Sequence, residues 1–138
     1  MLEYLLLIMI FMHIADDFYL QGILAKLKQK SYWADPENYP TLLTPTGIKR
    51  MEKMRHDYIP SLLIHAFSWA FMIMLPIMIL VPGINTGVFY ALFAFNMSVH
   101  AITDHLKANK LRINLWQDQL IHILQIVLTY VLITEVFI

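Results

Sequence analysis

Three pairs of residues in this chain repeat one chemistry. His13 and Asp17, His100 and Asp104, and Asp118 and His122 each stand four positions apart, the spacing that puts two side chains on one helix face within a single turn. Around them lie more polar groups at helical intervals: Gln21 after Asp17, Ser61 before His65, Asn96 before His100, Lys107 after Asp104, and Gln119 and Gln125 flanking His122. Imidazole and carboxylate together suit Zn²⁺, Mn²⁺ or Fe²⁺. The chain has no cysteine, so any metal must be held by nitrogen and oxygen, and thiolate nucleophiles are excluded.

Four histidines and three aspartates, namely His13, Asp17, His65, His100, Asp104, Asp118 and His122, are more ligands than one tetrahedral ion uses. They suit two ions, or one ion with outer groups that orient its imidazoles. A metal so held lowers the pKa of a bound water to about 7 and polarises a phosphoryl or carbonyl oxygen, which is the chemistry of hydrolases. One of the carboxylates could then serve as general base. Gln21, Gln119 and Lys107 are expected to orient substrate or ligands. Asp16, three positions after His13, is balanced between joining them and capping the helix end. His56 and His105 flank basic connections and read as surface residues.

The elements that must position these residues are apolar. The sequence is 59% hydrophobic and 14% charged, with a mean hydropathy of +0.58, whereas a soluble domain needs about 25% charged residues to keep its surface wet. Four apolar segments, at about 1–20, 59–81, 88–104 and 118–138, approach the roughly 20 residues that cross a bilayer as a helix. The stretch VPGINTG, residues 81–87, predicts a tight turn and an antiparallel pair. Pro76 should kink the second span, as membrane helices tolerate. Residues 1–12 carry no basic n-region and no small-residue cleavage site follows, so a signal peptide is not expected. The expected architecture is all-α: a single domain over residues 1–138, built as an up-down-up-down bundle of four transmembrane helices.

The distribution of charge orients that bundle. All ten Lys and Arg fall in the first connection, about 22–57, or in the third, at Lys107, Lys110 and Arg112. By the positive-inside rule these connections face the cytoplasm, and both termini and the Pro82 turn face outward. The protein is thus expected in the inner, cytoplasmic membrane as a multi-pass protein. The stretch SYWADPENYP, residues 31–40, reads as irregular chain at headgroup level. In residues 46–56, Ile48, Met51 and Met54 recur every three residues among Lys49, Arg50, Lys53 and Arg55, the pattern of a short interfacial amphipathic helix or of a solvated connector. With this topology every polar pair and His65 fall at the cytoplasmic end of their helices.

The chain resembles an uncharacterised family of small integral membrane proteins, domain of unknown function 3307. The likeness rests on a histidine followed by DF.LQ at the end of the first span (His13, Asp17, Phe18, Leu20, Gln21), then Lys26 or Lys30, and His65 in the second span. It continues with H...D..K in the third (His100, Asp104, Lys107) and DQ..H in the fourth (Asp118, Gln119, His122). The family implies an integral membrane protein and no activity.

Ionisable groups inside a membrane cost about 2.5 to 3.5 kcal/mol each at a helix centre and mark functional sites by default. The leading expectation is a metal-dependent hydrolase of a phosphoester or lipid-linked anionic substrate, holding zinc, manganese or iron as one ion or two. Alternatives are a metal or proton transporter, a non-catalytic membrane adaptor, or interhelical hydrogen bonds that only hold the helices together. Transport would require polar groups deeper in the bundle, where the outward halves offer chiefly Tyr90, Thr129, Tyr130 and Thr134. The expected partners are the lipid bilayer, an anionic lipid or phosphorylated substrate, and, for so thin a bundle, further copies of the chain. Nucleic acid is not an expected partner.

Overall fold

A computed structural model of the chain describes residues 2–38 and 44–136. The outermost residues of the first and fourth expected spans, and residues 39–43 with Tyr39 and Pro40 of the expected headgroup segment, lie outside that set. The described residues form α-helices and turns, with no strand among them. Helix α1 (Leu5–Ile14) continues into a π-helical turn, Ala15–Leu20. Two short helices follow in the connection, α2 (Leu24–Leu27) and α3 (Lys30–Ala34), and then α4 (Pro45–Met54). The long helices are α5 (Tyr58–Leu80), α6 (Thr86–Ala108) and α7 (Leu115–Val131), the last extended by a π-helical turn, Leu132–Val136.

Local chemistry sets the helix boundaries. The turn between α5 and α6 is possible because Gly83 takes a left-handed φ of 89°, a conformation that costs other residues a Cβ clash. Asn85 then caps α6, its Oδ1 accepting from Gly87 N at 2.8 Å and Val88 N at 3.2 Å. Helix α7 opens on a reciprocal capping box between Asn114 and Gln117, which satisfies two backbone donors left free at a helix start. It starts earlier than the span expected from residue 118, so Asp118 lies within its first turn. Thr44 and Pro45 start α4 with a one-way cap, Thr44 Oγ1 accepting from Gly47 N at 3.1 Å. Pro76 lies inside α5, which is assigned as helix throughout.

Helix α1 packs on α5, α5 on α6, α6 on α7, and α7 back on α1, which makes a closed ring of four. At one end its interior is apolar, with Leu5, Met9, Ile73, Met74, Ile77, Leu92, Ile126 and Ile133 buried together. At the other end the interior is polar: His13, Asp16, Asp17, His65, His100, Asp104, Asp118 and His122 are all buried. The outer surface is the reverse, with Leu7, Phe11, Phe67, Ile79, Ile102 and Leu124 exposed. So many large apolar side chains on the outside accord with a bilayer environment. Three helices, Tyr58–Leu80, Thr86–Ala108 and Leu115–Glu135, are long and apolar enough to cross a membrane, with mean hydropathies of 2.1, 1.2 and 1.2.

Candidate metal centre

Each helix brings its polar residues to the same end of the ring. His13 closes α1, His65 lies two turns into α5, His100 and Asp104 occupy the last turns of α6, and Asp118 and His122 the first turns of α7. The π-helical turn after α1 buries both Asp16 and Asp17. Its wider winding lets neighbouring residues share the face toward α5: Asp16 Oδ1 accepts from Ser68 Oγ at 2.7 Å, and Asp17 Oδ1 lies 3.3 Å from His65 Nε2.

The centre of the cluster is His65 Nε2. It lies 3.1 Å from His100 Nε2, 3.2 Å from Asp104 Oδ2 and 3.3 Å from Asp17 Oδ1, while His100 Nε2 and Asp104 Oδ2 are 3.7 Å apart. Four atoms able to donate a lone pair thus face one another. A single N–H cannot satisfy them, and Asp17 Oδ1 has no hydrogen-bond partner among the described residues. Metal–ligand bonds of 2.0 to 2.2 Å in a tetrahedron put neighbouring ligand atoms about 3.3 to 3.6 Å apart, close to the spacings around His65 Nε2.

Two groups could hold a metal ion: Asp17, His65 and His100, and His100, Asp104 and His122, all buried, with ligand atoms within 4.8 Å of one another. In the second group His122 Nε2 has no hydrogen-bond partner among the described residues, and it lies 3.8 Å from Asp104 Oδ1 and 3.5 Å from Asp118 Oδ1. The rings pack against one another, His100 stacking on Trp69 and on His122 at centroid distances of 4.2 Å each, with Trp69 and His122 5.3 Å apart.

Charge supports the same fit. Asp16, Asp17, Asp104 and Asp118 face two ammonium groups, Lys28 Nζ at 2.6 Å from Asp104 Oδ2 and Lys107 Nζ at 2.6 Å from Asp118 Oδ2. With all four carboxylates ionised and the histidines neutral, two negative charges remain in a buried space. Buried charge must be compensated, by metal cations or by imidazolium protons.

Not every expected ligand joins these groups. His13 Nδ1 accepts from Trp69 Nε1 at 2.8 Å, and its Nε2 donates to Gln119 Oε1 at 3.1 Å, so both ring nitrogens are engaged. Asp118 belongs to neither group; its Oδ2 accepts from Lys107 and from Gln119 Nε2, the latter at 3.0 Å. Gln119 also donates to Asp17 Oδ2 at 3.3 Å, linking His13, Asp17 and Asp118. Gln21 turns away and donates to the backbone carbonyl of Asp17. Ser61 bonds the carbonyl of Asp57. His105 stacks on Tyr58 outside the cluster, and His56 is exposed.

Three participants escape the spacing analysis. Ser68 and Trp69 follow His65 by three and four positions, a face-sharing signal hidden inside an aromatic and methionine stripe that reads as packing. Lys28 sits in the connection, where no helical period points to it. A further polar knot lies beyond the cluster: Asn96 Nδ2 donates to Thr129 Oγ1 at 2.9 Å, and Gln125 Nε2 donates to Asn96 Oδ1 at 2.9 Å. Compared with protein-family models, with curated proteins and with solved structures, the chain finds no match.

Proposed function

We propose that the chain is a four-span protein of the inner membrane that binds a divalent transition metal at the cytoplasmic end of its bundle and hydrolyses a phosphoester or lipid-linked anionic ester there. The observation that carries this reading is the pair of buried ligand groups, Asp17, His65 and His100, and His100, Asp104 and His122, each with ligand atoms within 4.8 Å of one another. The fourth span is α1 with its π-helical turn, 10 and 6 residues long, roughly 24 Å at 1.5 Å per residue. The concentration of Lys and Arg in the first and third connections supports a cytoplasmic site. The resemblance to the domain of unknown function 3307 family belongs to the same reading and rests on the same polar residues.

Zinc, manganese or iron bound there would supply a Lewis acid and a water acidic enough to attack an ester near neutral pH. The chain's own residues would do the rest. Asp118 Oδ1, with no hydrogen-bond partner among the described residues and 3.5 Å from His122 Nε2, is a carboxylate placed to accept a proton. Lys107, whose side chain is 35% exposed, offers positive charge to an anionic substrate. Trp69 and Gln119 hold His13 in one tautomer, and Gln119 fixes the orientation of Asp17 and Asp118.

The test is elemental analysis of the detergent-purified protein, followed by assay on a chromogenic phosphoester. Stoichiometric metal with hydrolysis that disappears in His100→Ala is expected; no bound metal, or undiminished hydrolysis in the variant, sinks the proposal. The knot of Asn96, Gln125 and Thr129 favours a second reading, passage of a metal ion or proton along the α6–α7 seam. Liposome flux of radiometal or of a pH dye separates the two, because a hydrolase produces neither.

A further inference from the structure

The cluster already contains a cation of its own. Lys28 reaches in from the connection, its side chain 11% exposed, and places Nζ 2.6 Å from Asp104 Oδ2, whose side chain is 3% exposed. This oxygen is the one nearest His65 and His100, so the ammonium is bonded to an atom that a metal would use. The contact is not the chance resting place of a long side chain. Asn109, which follows the last residue of α6, clasps the backbone on both sides of Lys28's neighbour. Its Nδ2 donates to Lys28 O at 3.1 Å, and its Oδ1 accepts from Lys30 N at 2.6 Å. Asp104 lies in the last turns of α6 and Asn109 directly follows that helix, so the clasp fixes where the lysine starts relative to the carboxylate it meets. Trp33 Nε1, donating to Leu27 O at 2.7 Å, ties down the preceding residue.

Resting on the metal-binding reading of the site, we propose that Lys28 is a tethered cation that competes with the metal ion for Asp104. Without metal the ammonium neutralises the carboxylate, and the negative cluster is partly compensated. A divalent ion bound to Asp104 repels an ammonium at hydrogen-bond distance, so filling the site expels Lys28 toward the cytoplasmic mouth. Affinity is thereby set below what the ligands alone would give, and occupancy of the site changes the position of the connection that bears the lysine. Lys107 is not equivalent, since its partner Asp118 lies in neither ligand group.

The test titrates Zn²⁺ against a chromophoric chelator in the detergent-purified full chain, for wild type, Lys28→Met and Lys26→Met. Removing a charged hydrogen bond that the metal must otherwise break should tighten binding by about tenfold to a hundredfold in Lys28→Met. Lys26→Met, altered at an exposed position, should match wild type. Equal or weaker binding by Lys28→Met overturns the proposal while leaving metal binding intact. Absence of binding in both wild type and Lys28→Met overturns the metal reading as well. Independently of that variant, acylation of Lys28 in the wild-type protein, read by peptide mass spectrometry, should quicken when Zn²⁺ is added. An unchanged rate overturns the exchange.

Discussion

Replacing Asp104 by asparagine keeps the shape of the side chain and removes its charge, which makes it the sharpest probe of the cluster. Asp104 stands within 4 Å of four groups: Lys28 Nζ at 2.6 Å, His65 Nε2 at 3.2 Å, His100 Nε2 at 3.7 Å and His122 Nε2 at 3.8 Å. Breaking a buried ion pair from one side costs about 3 to 5 kcal/mol, because the remaining charge is stranded. Lys28 keeps 11% exposure and a flexible stem that can carry the ammonium to the headgroups. The lower end, about 3 kcal/mol, is therefore expected. Reversible unfolding in mixed micelles, followed by far-UV circular dichroism, measures it. The double variant Asp104→Asn with Lys28→Met should recover most of the loss, a coupling of about 1.5 kcal/mol or more in a double-mutant cycle. It should not recover metal binding. If Asp104→Asn unfolds within about 0.5 kcal/mol of wild type, or the second substitution restores nothing, then Asp104 is not the charge centre of the cluster and the reasoning fails.

Other substitutions separate the parts of the site. Trp69→Phe keeps an aromatic ring beside His100 but strands His13 Nδ1, now bonded at 2.8 Å; a loss of about 1 to 3 kcal/mol is expected by the same unfolding assay, and no loss would show that the bond is idle. His100→Ala removes the residue shared by both ligand groups and should abolish bound metal by elemental analysis, whereas His105→Ala, outside the cluster, should retain it. Asn96→Leu deletes the hydrogen bonds to Thr129 and Gln125; at about 0.6 kcal/mol per interhelical bond in membranes it should cost roughly 1 to 2 kcal/mol and leave metal content unchanged. Gly83→Ala forces a Cβ into a left-handed φ of 89° and should lower stability by about 1 to 2 kcal/mol in the unfolding assay.

The sequence made the cluster legible where helical geometry is regular. His100 with Asp104, and Asp118 with His122, stand on one face at four-residue spacing, and the alternation of helix directions brings those faces to one end. The same spacing holds at His13 and Asp17, whose Nδ1 and Oδ2 lie 3.9 Å apart, although a π-helical turn begins between them at Ala15 and gives each a further partner. The histidine turns to Trp69 and Gln119 while the aspartate turns to His65. Lys28 was illegible for a different reason: its contact joins residues 76 positions apart through an irregular connection, and only the fold supplies that proximity. Trp69 was hidden by its composition, since an indole among phenylalanines and methionines looks like packing until its N–H is seen to have a partner. The long helices were plain from hydropathy, though the caps at Asn85 and Asn114 moved their starts by two or three residues from the apolar boundaries.

The uneven apolarity of the three long helices has a consequence for how the protein comes to exist. Helix α5, with a mean hydropathy of 2.1, is the most apolar of the three helices able to cross a membrane and, in the proposed membrane protein, would enter lipid most readily. Helices α6 and α7, at 1.2 each, carry Asn96, His100, Asp104, Asp118, His122 and Gln125 into a medium that resists them. The short turn at Pro82 and Gly83 delivers α6 directly against α5, so His100 meets His65 and is spared a lone stay among acyl chains. Helix α7 then arrives to a partner that already offers Asn96 for Gln125 and Thr129. For α6 and α7 the order of elements along the chain is in this sense an order of entry, in which each is received by the helix made before it.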